Sequence, residues 1–475
     1  MADLDKPAPE PKRSWADEAE NVPPSSSETT ETVATPPIAE AVDRLSIGGE
    51  DKTEETKGLD LSDDSEIKAV TTGNTIYASA STFEELNLSQ ELLKGLYSEM
   101  NFSKPSRIQA VSLPMILTPP YRNLIAQAHN GTGKTTCFTL GMLGRVDMKQ
   151  KVPQAICVCP TRELAIQNEE VLLRLGKYTG VTSLCAVAGL PRTPITAQVV
   201  IGTPGTLKRC ITSGQLSTRY MKILVFDEAD HMLAEDGFQD DSLRIMKYIE
   251  RSTANCQVLL FSATFNENVK DFASKVVKDG NQLFVKKEEL SLESIKQYKV
   301  YCPDELAKIE LLRDRIFLVA EKLAQTIIFV RTRKSASDLH KTLSDAGWSC
   351  TAISGNLEQE KRDTLIKEFR AGLTKVLICT DILARGFDQS QVNLVVNFDL
   401  PVKHYGGPDY EVYLHRVGRA GRFGRKGAVF NLICTERDKK VMDDIEKYFQ
   451  HHVAEIPSWQ SEEGFEAALK EAGLI

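Results

Sequence analysis

The chain has 475 residues, too many for one ordinary hydrophobic core, so two or three compact domains are expected. Its 41% hydrophobic content suits a soluble globular protein, no apolar run reaches the roughly 18 residues a membrane helix needs, and the start of the chain lacks the basic-then-apolar layout of a signal peptide. The net charge of −8 argues against nucleic acid only until it is divided: residues 1–80 hold 18 acidic and 7 basic side chains and the remainder 48 and 51, so the acidity sits in the N-terminal segment and the body can carry a basic groove.

Residues 1–75 are rich in Pro, Ser, Thr and Glu and poor in aromatics. Such a segment cannot bury enough apolar surface to offset its ordering entropy, so it reads as a disordered acidic tail. Within it, residues 38–45 and 61–70 read as transient helices, and a docking, regulatory helix is the sharper interpretation of the second. From residue 82 short apolar runs alternate with longer amphipathic stretches. The runs at 123–126, 155–159, 198–201, 223–226 and 258–261 read as buried parallel strands. The pattern breaks in the charged stretch 286–292, which suits a linker. It restarts with strands at 326–330, 375–379, 394–397 and 428–431, and the end of the chain, from about residue 440, reads as helices. The expectation is an α/β protein with two parallel-sheet domains in tandem, 76–288 and 289–475. Ten cysteines without a CxxC pair and seven scattered histidines give neither a zinc site nor a disulfide framework, which points to a reducing compartment.

Chemistry concentrates in a few segments. Ala128-His129-Asn130-Gly131-Thr132-Gly133-Lys134-Thr135 follows a predicted strand and opens a predicted helix, the context a phosphate-binding loop requires. Glycines let backbone N–H groups close on phosphates, and a helix N-terminus favours negative charge. Lys134 would reach the β and γ phosphates and the Thr135 hydroxyl would hold Mg²⁺. The strand at 223–226 ends in Asp227-Glu228-Ala229-Asp230. An acid at such a tip is a magnesium partner, so Asp227 takes the metal through water and Glu228 orients and deprotonates the attacking water. Upstream, the Gln109 amide can donate and accept along the adenine edge while the Phe102 ring stacks on the base. The second domain supplies His415-Arg416-Val417-Gly418-Arg419-Ala420-Gly421-Arg422. Arg419 and Arg422 fit arginine fingers, and Asp388 is placed to take the ribose hydroxyls.

In order, these segments together with Pro160-Thr161-Arg162-Glu163-Leu164-Ala165, Thr203-Pro204-Gly205-Thr206, Ser262-Ala263-Thr264, Gln359-Glu360-Lys361-Arg362 and the run from Thr380 to Asp388 resemble the DEAD-box RNA helicase family. The resemblance covers residue 82 to the end. It implies two RecA-like domains that ATP and single-stranded RNA close together. It places RNA on Pro160, Thr161, Arg162, Gly189, Thr203, Pro204 and Gly205 of the first domain and on Arg362 and Thr380 of the second. It also makes Asp230, Ser262 and Thr264 the link from the ATP site to domain closure. Backbone amides, hydroxyls and arginines suit phosphates and 2′-hydroxyls, which prefer RNA without reading sequence.

Within the family, the entry at 74–86 and the extended stretch at 402–413 are similar to the messenger-RNA export helicases of the nuclear pore. That likeness implies action on mRNA, a nuclear-pore filament protein and an inositol-polyphosphate-dependent activator as partners, and residence in cytoplasm, nucleus and the nuclear envelope at the pore. The chain is expected to act as a monomer without a membrane span. ATP and Mg²⁺ are the cofactors, and RNA-stimulated hydrolysis would melt short duplexes or strip proteins from RNA. The rival readings are a non-processive RNA clamp or scaffold in another step such as translation, which the complete motif set opposes, and a DNA-directed translocase.

Overall fold

The computed structural model describes residues 67–71, 77–128, 131–234, 237–285, 295–316, 325–354, 357–381, 389, 391–403, 406–421 and 426–475. The tail at 1–66, with the proposed helix at 38–45, and the charged stretch 286–292 lie outside the described residues.

Two twisted sheets carry the chain. The first has eight strands in the order β1 (Ile67–Val70), β8 (Asn281–Val285), β2 (Leu124–Gln127), β7 (Gln257–Ser262), β6 (Ile223–Phe226), β3 (Ala155–Val158), β5 (Val199–Gly202) and β4 (Ser183–Ala186). The second has seven, in the order β11 (Thr351–Ile353), β12 (Val376–Cys379), β10 (Gln325–Phe329), β13 (Val392–Asn397), β14 (Gly427–Ile433), β9 (Ile295–Tyr301) and β15 (Ala454–Ile456). Every pairing is parallel except β1 against β8. Central strands such as β2, β3, β5 and β6 are buried at every position, because helices cover both faces of a parallel sheet and leave no wet side. All nine strands expected from the sequence are present, and the two RecA-like domains stand in tandem.

Two readings need correction. The described end of the stretch 61–70 is a strand, not a helix: Ile67–Val70 pair in antiparallel register with Val285–Gln282. The first sheet therefore reaches back into the segment assigned to the tail, before residue 76. Four residues beside a charge-rich run are too few to show a period of 2 against one of 3.6. Second, the end of the chain holds the edge strand β15 between its helices Glu436–Phe449 and Glu462–Glu471.

The parallel strands point their C-terminal ends to one rim of each sheet, and the loops leaving that rim carry the motif residues. Core side chains lie above and below each sheet, in two clusters per half. All ten cysteines are free thiols, and no described helix is long and apolar enough to cross a membrane.

Candidate active site

The phosphate loop leaves buried β2 and enters the helix Lys134–Arg145. Gly131 and Gly133 sit at φ 86° and 95°, in the left-handed region glycine favours. A Cβ on Gly133 would also lie 2.3 Å from Gln109 Nε2. Lys134 is buried and donates to the Ala128 carbonyl at 2.5 Å, so its ammonium is curled inside the loop. Ser106 caps the helix Arg107–Leu117 in a reciprocal box with Gln109. Ser106 Oγ donates to the Thr132 carbonyl at 2.7 Å and Gln109 Nε2 to the Gly133 carbonyl at 3.3 Å, so this segment braces the loop. Gln109 Oε1 accepts the Ser106 N–H at 2.9 Å. The amide then retains one hydrogen and one lone pair, the pair an adenine edge needs. Phe102 is half-buried nearby in sequence, its N–H bonded to the Leu96 carbonyl. His129, Asn130, Asp388 and Arg422 lie outside the described residues.

The acids stand at the tip of β6. Asp227 Oδ2 accepts Asn168 Nδ2 at 2.8 Å, and Oδ1 accepts the Glu228 N–H at 3.0 Å. Burial and the neighbouring Glu228 carboxylate push the Asp227 carboxyl up to about 7, against the Asn168 hydrogen bond and the Lys134 charge. Burial also pushes Glu228 upward, but the His231 ring, His415 and Arg419 together outweigh it and hold that carboxyl at about 2. The two acids are thereby separated: Glu228 is held ionised, and at Asp227 the Lys134 charge does not outweigh burial and the Glu228 carboxylate.

That imbalance fits a divalent cation. Among the described residues no group of three or more His, Cys, Asp or Glu side chains forms a ready metal cage. Mg²⁺ does not require one, since it keeps several waters and takes one or two carboxylates plus phosphate oxygens. Asp227 and the Thr135 hydroxyl are the residues that would hold it.

Asp230 is the meeting point of the two halves. Its Oδ2 accepts the Thr264 N–H at 3.0 Å and the Thr264 hydroxyl at 2.8 Å, and its own N–H donates to Ser262 Oγ at 3.2 Å. From the other sheet's side, His415 Nε2 lies 3.2 Å from the same Oδ2, with both side chains fully buried. Arg419 is buried, and its Nε donates to the His415 carbonyl at 3.0 Å. Its charge reaches Glu228. Arg416 holds this turn: it is buried, donates to Asp381, Asn397 and the Asp399 carbonyl, and lies over the Phe329 ring.

On the expected RNA face, Thr161 caps the helix Arg162–Leu175, Pro204 occupies the first turn of the helix Pro204–Thr212, and Thr203 is that helix's N-cap. Pro160 is buried and Thr380 half-buried. Gly189 sits at φ 90°, and a Cβ added there would meet nothing within 4 Å; one on Gly205 would meet only Asp241, at 3.5 Å. These two glycines keep the face open. Arg162 and Arg362 each also make an ion pair across the two halves. Arg162 pairs with Asp363 at 2.7 Å and Arg362 with Glu163 at 3.3 Å, and Arg370–Glu170 at 2.8 Å continues the seam. All three pairs join the helix Arg162–Leu175 to the helix Gln359–Arg370.

Sequence reasoning assigned no role to Asn168, His231, His415 or Arg416. A signal existed for Asn168, a polar residue within the buried stripe Leu164, Ala165, Leu172 and Leu175. His231 touches Glu228 only because the short helix Ala229–Ala234 brings it round, with Nδ1 3.6 Å from Glu228 Oε2.

Residues 106–272 match the DEAD/DEAH box helicase model and residues 307–424 the Helicase conserved C-terminal domain. The DEAD-box ATP-dependent RNA helicase 38 of Oryza sativa subsp. japonica is 63% identical over 430 residues, spanning 88% of this chain and 85% of the relative. The structure of S. cerevisiae Dbp5 bound to RNA and ADP BeF3 is 39% identical, with a TM-score of 0.79 over 83% of this chain and 100% of that one. A Dbp5 variant bound to Nup159, a Gle1 variant, IP6 and ADP is 38% identical, with a TM-score of 0.60 over 81% of this chain and 99% of that one.

Proposed function

The chain belongs to the DEAD-box family of ATP-dependent RNA helicases, and on that premise we propose that RNA stimulates its ATP hydrolysis by closing the two halves around the nucleotide. The observation that carries this is the convergence on Asp230. Thr264 of the first half and His415 of the second share one carboxylate oxygen, while Arg419 brings its charge to Glu228. Neither half alone owns the site, so hydrolysis depends on closure, and a ligand that favours the closed arrangement raises the rate.

In this reading Lys134 and the amides of residues 128–135 bind the phosphates. Gln109 and Phe102 hold the base, and Asp388 the ribose. Asp227 and Thr135 would hold Mg²⁺, which supplies positive charge against the phosphates. Glu228, ionised and fixed, orients the attacking water and takes its proton. Arg419, with Arg422, stabilises the charge that builds during phosphoryl transfer. RNA lies on Pro160, Thr161, Arg162, Gly189, Thr203, Pro204 and Gly205 of the first half and on Arg362 and Thr380 of the second. Asp230, Ser262 and Thr264 report closure to the ATP site. The work done is local duplex melting or removal of proteins from mRNA.

The likeness to Dbp5 complexes holding RNA, Nup159, Gle1 and IP6 supports a place in mRNA export, with a pore-filament protein and an IP6-dependent activator as partners and residence in the cytoplasm and at the nuclear envelope. Steady-state ATP turnover with RNA, with DNA, and with a Gle1-type activator plus IP6 tests the reading. RNA and the activator should each raise the rate. Equal stimulation by DNA contradicts the RNA assignment, and an activator without effect contradicts the export assignment.

A further inference from the structure

We infer that Asn168 is a positioning residue for Mg²⁺ binding, holding Asp227 in the orientation from which it meets the metal's hydration shell. The inference rests on the reading of Asp227 as the Mg²⁺ partner. Asn168 stands halfway along the helix Arg162–Leu175, fully buried, in the stripe that packs this helix on the sheet. An apolar residue of the same size would complete that stripe. The amide instead donates from Nδ2 to Asp227 Oδ2 at 2.8 Å and to Cys159 Sγ at 3.3 Å.

Among the described residues its buried Oδ1 has no hydrogen-bond partner. Packing therefore gains nothing from the amide, since an orphaned carbonyl is a cost that leucine would avoid. This orientation suits the ionised carboxylate that meets a metal, because a flipped amide would set its carbonyl against it. With the Glu228 N–H on Oδ1 at 3.0 Å, each Asp227 oxygen accepts one donor. Turning the carboxylate breaks both bonds, while each oxygen keeps a lone pair for a metal-bound water. Donors behind a metal-binding carboxylate fix its direction in this way, and losing one typically weakens metal binding about 10–100-fold.

The test is Mg²⁺ titration of the ADP-bound full chain, read by binding alone, with ADP affinity in EDTA and thermal melting as controls. Asn168→Val and Asn168→Thr are matched in shape and differ by a hydroxyl donor. The half-saturating Mg²⁺ concentration should rise about 10–100-fold in Asn168→Val and clearly less in Asn168→Thr. ADP affinity in EDTA should be unchanged in both. In an Asp227→Asn background, Asn168→Val should add nothing. Asn168→Ser against Asn168→Ala makes the same comparison if the branched pair folds poorly. Equal shifts in the donor and donor-less variants, a wild-type value in Asn168→Val, or an undiminished effect in the Asp227→Asn background would each overturn the role of Asn168. An unchanged Mg²⁺ response in Asp227→Asn itself overturns the metal reading of Asp227, which is a separate result.

Discussion

Glu228 carries a φ of 50°, a left-handed backbone rarely adopted by a residue with a side chain. Such a conformation costs roughly 1–3 kcal/mol and persists only where its surroundings impose it. Here it turns the chain sharply off β6, so that Asp227, Glu228 and Asp230 all face inward within four residues. Glu228→Gln should keep ATP and RNA binding but lose about 10²–10⁴-fold in turnover, the usual contribution of a positioned base; near-normal turnover removes Glu228 from that role. Arg419→Ala should cost about 10³–10⁵-fold in the RNA-stimulated rate, as other arginine fingers do.

Asp227 gives a pH signature. Its folded carboxyl lies near 7 through burial and Glu228, against about 3.9 when unfolded. The folded chain binds this proton more tightly, so the associated stability is complete below about pH 4 and is lost as pH rises towards 7. Asp227→Asn should therefore raise the melting temperature without nucleotide or Mg²⁺, little at pH 4, more at pH 6, and with no further gain above pH 7. The upper bound is about 4 kcal/mol. A gain independent of pH would show that the carboxyl is not raised. Residues with a local signature, such as Lys134 in its glycine loop and the acids at a strand tip, were legible in the sequence. His231 and Arg416 were not, because their roles exist only through partners brought close by the fold, Glu228 and Asp381, and Asn168 showed only as a polar break in an apolar stripe whose partner, Asp227, the fold supplies.

At the scale of elements, the helices Arg162–Leu175 and Gln359–Arg370 form a charged seam whose three ion pairs differ in depth. Glu163 and Arg362 are nearly buried, whereas Glu170 is more than half exposed. Breaking the buried pair from one side leaves a charge without water or partner. Arg362→Ala should thus weaken RNA binding in the presence of an ATP analogue more than Arg370→Ala does, and a Glu170/Arg370 double-mutant cycle should show coupling below about 1 kcal/mol. A coupling of several kcal/mol would place that outer pair in a drier setting.

The strands show where pattern reading ends. β9 carries Lys296, Gln297 and Lys299, which read as surface, yet Lys299 is buried against Glu446 at 2.9 Å and the strand lies between β14 and β15. β1 is short and covers the edge of β8. A chain beginning at residue 72 should melt lower and associate more than one beginning at 67, because the open β8 edge invites pairing. Equal behaviour would make β1 dispensable.

For the whole molecule, two sheets of the same plan are each incomplete as an enzyme. The first holds the loop and the acids, including the proposed metal partner Asp227; the second holds His415 and Arg419. Motif order made this division legible, because the phosphate loop and the arginines lie nearly 300 residues apart in sequence. The family resemblance named Asp230, Ser262 and Thr264 as the link but not the partner that meets Asp230 from the other half, His415, nor the seam of ion pairs. The central claim is that RNA acts by completing the ATP site. The direct measurement is steady-state ATP turnover of the full chain across a titration of single-stranded RNA. The account predicts a low basal rate that rises and saturates with RNA; a rate indifferent to RNA, or one raised equally by DNA, would contradict it.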